Sequence, residues 1–313
     1  MLPSERYRVL LAMGVVLAVY AGAAVVILAW LLRRARGKAR LRSRLAWVPR
    51  TIIGLAGLLS LCFVYGYFVE PYWLAVTHVR LSSAKLPRGI RPIRIVHASD
   101  FHCDVKPALE DRIPDVISAQ KPDVIVFTGD AINTPQALPL FRRCLTRIAA
   151  IAPTFVVKGN WDAWYHRDVD RFGGTGAREL DGAAAKLSVG GTELWIAGVP
   201  VMGEDRLDAA LASVPPGAFT ILLYHYPDLI LDVAGRDVDL YLAGHTHGGQ
   251  VALPLYGALT TLSKFGKRYE AGLYREGNTW LYVNRGIGEE GFATRMRFWS
   301  RPEITVIDIE PVG

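Results

Sequence analysis

Cysteine is scarce, with three residues at Cys62, Cys103 and Cys144. An odd, sparse set excludes a disulfide framework and a four-thiolate metal site, and it is silent about compartment. Cys103, between His102 and Asp104, reads as a small packing residue. Internal repeats and low-complexity tracts are also lacking. Acidic residues are missing altogether from 33–50, which instead hold Arg33, Arg34, Arg36, Lys38, Arg40, Arg42, Arg44 and Arg50. The chain's net charge is +7 and its pI about 9.4. Arg6 and Arg8 offset Glu5 and Glu70, so the eight basic residues of that stretch leave about −1 for 79–313. The charge belongs to a linker, and the large C-terminal part is not a basic nucleic-acid binder.

Charge is absent from two long runs, the 24 residues Val9–Leu32 and the 19 residues Thr51–Val69. At about 1.5 Å per residue the first is long enough to cross a ~30 Å hydrocarbon core, and the second is a marginal crossing. Trp30, Trp47, Tyr65, Tyr67, Tyr72 and Trp73 stand near the ends, as interfacial aromatics do. A cleavable signal peptide is the competing reading of the first run. Its length, the Arg-rich stretch after it and the second run argue instead for a retained helical hairpin. Residues 1–78 are therefore expected to form a membrane anchor with a basic linker at 33–50, leaving 235 residues, 79–313, for one domain. The positive-inside rule puts the linker in the cytoplasm and the domain outside. If the linker lay on anionic headgroups and the second run were embedded without spanning, the domain would be cytoplasmic.

Seven residues spread over 148 positions carry the chemistry: Asp100, His102, Asp130, Asn160, His225, His245 and His247. Each follows an apolar run in a short turn: HASDFH, VFTGD, VVKGN, LLYH or LAGHTH. Oxygen and imidazole ligands in this number suit Mn, Fe or Zn. The runs Ile93–His97, Asp123–Thr128, Phe155–Val157 and Ile221–Tyr224 read as strands buried on both faces. Segments of helical length, Ala108–Gln120 and Leu138–Ala149, separate them, which favours parallel βαβ units and an α/β domain. In such sheets ligands collect beyond the carboxyl ends of the strands, where these seven residues fall. Glycines 129, 159 and 244 permit the tight turn and close approach required there. One such turn is unremarkable, but five in one chain point to loops converging on a two-metal centre.

The pattern resembles the calcineurin-like metallophosphoesterase family, whose marks are D-x-H, G-D, G-N-H-[DE], a lone His and G-H-x-H. This chain reads Asp100-Phe101-His102, Gly129-Asp130, Gly159-Asn160-Trp161-Asp162, His225 and Gly244-His245-Thr246-His247, in the same order. The resemblance spans roughly 92–310 and implies a four-layer α/β/β/α sandwich. It implies one divalent metal on Asp100, His102, Asp130 and His247, and a second on Asp130, Asn160, His225 and His245. Asp130 would bridge the pair, with Mn the first expectation and Fe or Zn accepted by the same ligands. It further implies catalytic roles for Asp130 and Asn160 in hydrolysis of a phosphoester or phosphoanhydride.

One position departs from the family. In the family a His commonly follows the Asn and protonates or stabilises the leaving group; here Trp161 stands there and cannot act as a general acid. A phosphate leaving from an anhydride needs little help, so the Trp shifts the expectation toward pyrophosphates, or toward another donor such as His166. His166 otherwise reads as an exposed loop imidazole.

Asp162 is expected to orient Asn160 or a ligand imidazole. Gly248, in Gly248-Gly249-Gln250, is expected to offer a backbone amide to phosphate oxygens. Arg285, in the Gly-rich stretch 284–288, reads either as a phosphate-facing cation or as part of a structural turn. Arg295, Arg297 and Arg301, around Phe298 and Trp299, read as solvated charge or as a site for an acidic headgroup. His97 reads as a core residue and His78 as interfacial.

The anchor, GHTHGGQ and the C-terminal NRGIG…RPEIT pattern resemble the membrane-tethered bacterial branch of the family, which implies a place in the inner membrane. Some of that branch are UDP-2,3-diacylglucosamine diphosphatases of lipid A synthesis, acting on a cytoplasmic substrate. The alternative is an extracytoplasmic phosphodiesterase or phosphatase of lipid or cell-wall phosphates. In either case the expected partners are a phosphorylated, lipid-linked substrate and membrane lipids. A non-enzymatic membrane scaffold would be marked by missing ligands, and none of the seven is missing. The oligomeric state is not legible.

Overall fold

The computed structural model describes residues 1–37, 47–290 and 295–312. Two helices come first, α1 (Pro3–Ala35) and α2 (Trp47–Phe68), each long and apolar enough to cross a membrane. Both extend past the apolar runs at most of their ends. Glu5, Arg6, Arg8, Arg33 and Arg34 are good helix formers, so hydrogen bonding does not stop where charge begins. The helices pack as an antiparallel hairpin. The Tyr20 hydroxyl lies 2.9 Å from Ser60 Oγ, and Ile52 abuts Gly22. Of the expected basic linker, residues 38–46 lie outside the described residues.

Among the described residues the domain is built from fourteen strands and five further α-helices. In chain order they are β1 (Ala75–Ser83), β2 (Ile93–Ala98), α3 (Ile113–Ala119), β3 (Val124–Thr128), α4 (Leu138–Ala149), β4 (Thr154–Val157), α5 (Asn160–Trp164), β5 (Arg178–Glu179) and β6 (Ala183–Val189). There follow β7 (Thr192–Gly198), α6 (Leu207–Leu211), β8 (Phe219–Leu223), α7 (Ile230–Val233), β9 (Leu240–Ala243), β10 (Ala252–Leu253), β11 (Gly257–Ala258), β12 (Gly272–Glu276), β13 (Thr279–Val283) and β14 (Glu303–Pro311). One six-stranded sheet has the order β1-β14-β2-β3-β4-β5 and the other β12-β13-β9-β8-β7-β6. The inner strands β2, β3 and β4 run parallel, as do β7, β8, β9 and β13.

Alternation along each strand assigns the layers. Val124 and Val126 of β3 join Ile221 and Leu223 of β8 in a core between the sheets. Their neighbours Ile125 and Phe127 face the other way, onto Ile113, Ile117, Phe141 and Leu145 of α3 and α4. Leu222 of β8 likewise packs on Leu207, Ile230 and Val233 of α6 and α7. These three cores separate four layers, the α/β/β/α sandwich that the resemblance implies. Because both faces are covered, the inner strands are mostly apolar, with exceptions such as Arg94, His97, Thr128 and Thr220.

Two boundaries differ from expectation. The domain begins before residue 79, because β1 starts at Ala75 and pairs in register with Glu303. His78 is an exposed residue of β1, opposite Val306. The helix expected at Ala108–Gln120 is only Ile113–Ala119, since the Glu110 carboxylate accepts the Ala108 and Leu109 amides and turns the chain first.

His97 is fully buried on β2, and its Nε2 lies 2.8 Å from Thr128 Oγ1. Burial lowers its pKa from the ordinary 6.5 to about 3. The unfolded chain therefore takes up a proton below its ordinary pKa that the folded chain refuses. Stability is expected to fall by about 1.4 kcal/mol per pH unit as pH drops from roughly 6.5 toward 3. Guanidinium unfolding of wild type and His97→Gln between roughly pH 7 and 4 should give the variant the shallower dependence. Parallel curves would count against this account.

Candidate metal centre

The centre forms where the parallel strands of both sheets end. Asp100 follows β2, Asp130 follows β3, Asn160 opens α5 after β4, His225 follows β8, and His245 and His247 follow β9. Backbone hydrogen bonds hold neighbouring turns together: Asp100 N to Gly129 O at 2.9 Å, His102 N to Asp130 O at 3.0 Å, and Gly244 N to His225 O at 2.9 Å. The Asp100 carboxylate ties the two sheets by accepting the His245 amide at 3.1 Å. Of the three glycines, Gly129 has a left-handed φ of 93°, whereas Gly159 and Gly244 serve close approach. A Cβ on Gly159 would overlap the Asp130 carboxylate, and one on Gly244 would overlap Ser99 and Asp100.

Five of the seven residues, Asp100, His102, Asp130, His245 and His247, have φ between 42° and 69°. Such non-glycine conformations cost roughly 1–2 kcal/mol each and persist where the surroundings impose them. Here they aim donor atoms inward. The ligand atoms of Asp100, His102 and His247 lie within 4.8 Å of one another, as do those of Asp100, Asp130 and His225. Asp130 Oδ2 sits between two imidazoles, 3.5 Å from His102 Nε2 and 3.3 Å from His225 Nε2. His247 Nε2 is 3.3 Å from Asp100 Oδ1, and Asn160 Oδ1 is 3.0 Å from His225 Nε2. His245 falls outside both tight groups, with its ring 5.2 Å from that of His225 and 4.1 Å from Tyr226.

The donors fit a pair of divalent cations. His225 Nδ1 is 2.5 Å from Thr128 O and His102 Nδ1 is 3.0 Å from Asn133 Oδ1. Each contact fixes the tautomer that leaves Nε2 free to ligate. His102 Nε2 is buried and has no hydrogen-bond partner, as expected of a donor atom aimed at an ion. Burial raises the pKa of Asp130 to about 6, against the pull of His225. Burial opposes charge on Asp100 too, but His247 and His225 outweigh it and hold that carboxyl below the usual carboxylate range. On His225, burial is outweighed by Asp130 and Asp100, which raise its pKa to about 9, whereas burial pushes His102 and His245 well below 6.5. Carboxylates and imidazoles share protons here where divalent ions would supply the positive charge.

The surrounding residues are bonded largely within the fold. The Asp162 carboxylate touches no imidazole; it accepts the amides of Asp130 at 2.8 Å, Gly159 at 2.9 Å and Ala131 at 3.2 Å. It thereby pins two ligand turns, and it pairs at 3.1 Å with Arg171, itself fully buried. His166 is buried, not exposed, and its Nε2 faces Asn133 O at 3.4 Å. The Gly248 amide donates to Thr246 Oγ1 within the turn at 3.3 Å. Arg285 pairs with Glu303 at 3.2 Å, and Asn284 Oδ1 accepts the Gly286 amide. Arg297 is not solvated. It is fully buried, donates to the carbonyls of Arg285, Gly288 and Ser300, and lies 3.3 Å from His247 Nδ1. Arg295 pairs with Asp104, and Arg301 stacks 4.0 Å from Trp73. Trp161 is buried, sets its ring edge-on to His102 at 5.2 Å and donates its amide to Asp130 Oδ1 at 2.8 Å. Cys103 is buried packing, as expected.

Comparison with known proteins agrees with this geometry. Residues 93–249 match the family model for calcineurin-like phosphoesterases. The uncharacterized metallophosphoesterase YkuE of Bacillus subtilis is 34% identical over 82% of this chain and 93% of its own length. The phosphodiesterase YaeI of Escherichia coli is 32% identical, covering 79% of this chain and 92% of that protein. The UDP-2,3-diacylglucosamine pyrophosphatase LpxG of Chlamydia trachomatis is 26% identical, over 79% of this chain and 92% of that protein. With a four-layer sandwich, a buried site for two divalent ions and two membrane-length helices, the chain belongs to the calcineurin-like phosphoesterase family and is a hydrolase of phosphoesters.

Proposed function

We propose that the chain is a manganese-supported hydrolase of lipid-linked phosphodiesters or pyrophosphates, anchored in a bacterial cell membrane with its catalytic domain outside. The observation that carries this reading is how the anchor meets the metal centre. The Arg297 amide donates to Gly66 O of α2 at 2.9 Å, while the same residue's guanidinium lies beside His247. Just after α2, Glu70 accepts the amides of Trp299 at 2.9 Å and Ser300 at 2.5 Å. Glu5 of α1 is fully buried against the domain and accepts the Thr261 amide at 2.8 Å. Both free ends of the hairpin thus lie on the domain's side, and the described basic residues at its other ends, Arg33, Arg34, Arg36 and Arg50, lie toward the other. The positive-inside rule then favours an extracytoplasmic domain.

Bound divalent ions supply Lewis acidity toward the phosphoryl oxygens and activation of water. The chain's residues arrange that chemistry. Asp100 and Asp130 provide the negative charge that holds cations in a buried site, Asn160 adds a neutral amide oxygen, and Thr128 and Asn133 keep His225 and His102 aimed inward. Trp161 shields the His102 side from water and has no proton for a leaving group, and His166 faces a backbone carbonyl. Leaving groups that depart as stable anions are therefore preferred, which favours a phosphoanhydride over an unactivated alkoxide.

A second reading, UDP-2,3-diacylglucosamine pyrophosphatase, is supported by the likeness to the Chlamydia protein and by the same preference, but it requires a cytoplasmic domain. Full-length protein in detergent with Mn should hydrolyse lipid pyrophosphates faster than lipid phosphomonoesters, with products identified by mass. A reporter fused after Gly313 should be active only outside the cytoplasm. Activity restricted to the diacylglucosamine nucleotide with a cytoplasmic reporter would replace the first reading by the second.

A further inference from the structure

Three large apolar residues on one side of the domain are exposed and also held at left-handed φ: Leu255 (φ 65°), Leu262 (φ 58°) and Trp299 (φ 58°). Bulky side chains rarely adopt that backbone, and a soluble surface gives no reason to display them there. Leu255, at the tip of the β10–β11 hairpin, is wholly exposed; its neighbours Leu253 and Tyr256 are 41% and 46% exposed. All sit where the anchor's ends meet the domain. Arg8 of α1 reaches the Tyr256 hydroxyl at 3.4 Å, and Leu2 packs on Gly266. Glu70, just past α2, holds the Trp299 amide.

Between the hairpin and the Trp299–Ser300 turn lies a cleft of about 350 Å³. Its rim is apolar, formed by Leu253, Leu255, Tyr256 and Trp299, whereas Arg285, Glu270 and Ser300 line it as polar groups. The inner wall reaches the metal centre: Gly248 directly follows His247, and Ser300 Oγ donates to His247 O at 2.5 Å. Arg285 Nε is buried there without a hydrogen-bond partner.

We propose that the β10–β11 hairpin and Trp299 insert into the adjoining bilayer leaflet, and that this cleft receives a membrane phospholipid headgroup-first, with the acyl chains left at the rim. The cleft grades from apolar to polar as an amphiphile does from its chains to its phosphate. Its rim is continuous with the ends of two membrane-length helices, so the occupant arrives from the leaflet rather than from solution. This inference rests on the lipid-linked reading of the function and gives it a port of entry.

The test uses the full chain in nanodiscs of phosphatidylethanolamine and phosphatidylglycerol. With Cys62→Ser in place, an environment-sensitive fluorophore on Leu255→Cys should shift to the blue and be quenched several-fold more by bromo-acyl lipid than one on Glu193→Cys, on the far β6–β7 hairpin. Leu255→Asn and Trp299→Asn tolerate the left-handed backbone. Each should lower hydrolysis of fluorescent acyl-labelled diacylglycerol pyrophosphate at least tenfold, with bis(p-nitrophenyl) phosphate turnover unchanged. A Leu255 label that stays in water overturns insertion, whatever the substrate. Insertion with undiminished lipid turnover in both variants overturns the port. If wild type cleaves the soluble diester but no lipid phosphate, the lipid-linked reading fails and the port with it, while the label still decides insertion.

Discussion

Asp130→Ala is expected to abolish Mn-dependent hydrolysis of an activated phosphodiester, by at least about a thousandfold, while the domain stays folded. Asp130 Oδ2 is the one atom placed between the His102 and His225 nitrogens. Electrostatic stabilisation is the largest contribution to phosphoryl transfer, so removing the central carboxylate removes most of it. The structural loss is small by comparison: one hydrogen bond from the Trp161 amide, worth about 1–3 kcal/mol. Turnover on bis(p-nitrophenyl) phosphate, bound Mn by elemental analysis and the thermal midpoint check the three parts separately. Asp130→Asn keeps the shape and the Trp161 bond, and it should lose activity nearly as fully. Unchanged turnover with unchanged metal content in either variant would show that the centre is wrongly assigned.

Arg171→Met is expected to destabilise the domain by about 3–5 kcal/mol, because it strands a buried carboxylate. Arg171 and Asp162 are both almost wholly inaccessible and meet at 3.1 Å, and Asp162 in turn accepts three backbone amides of the ligand turns. The amides soften the loss but do not neutralise the charge. In a domain of this size the thermal midpoint should fall by roughly 10 °C, and Mn affinity should drop because the Asp130 and Asn160 turns share that carboxylate. The double variant Arg171→Met, Asp162→Asn should recover part of the stability by removing the stranded charge. A single variant as stable as wild type would mean that the amides alone satisfy Asp162.

Much of the centre is legible in the chain because its ligands follow strand ends in a fixed order. Apolar runs such as Asp123–Thr128 identify buried parallel strands, and a turn after such a strand places its residues at the ligand-collecting end of the sheet. What orients the ligands is not legible. Asn133, Thr128 and Arg171 look like ordinary loop, strand and surface residues, and only the packing of turns from both sheets brings them to His102, His225 and Asp162. Arg297 reads as solvated charge for the same reason. Nothing local says that a stretch rich in Arg and aromatics folds inward between α2 and the GHTH turn. The assigned helix ends also moved, because hydrogen bonding continues through Glu and Arg while hydropathy does not.

By itself the sequence determined the two apolar runs, the strand pattern and the seven candidate ligand positions, since each is written in short-range periodicity, length and residue type. Only the tertiary structure decided which carboxylate sits between the imidazoles, which amides are already bonded, and that both ends of the membrane hairpin dock beside the metal centre. Those are contacts between segments far apart in the chain: Glu5 with Thr261, Glu70 with Ser300, Asp100 with His245. Such contacts depend on the packing of whole layers, which no local pattern encodes.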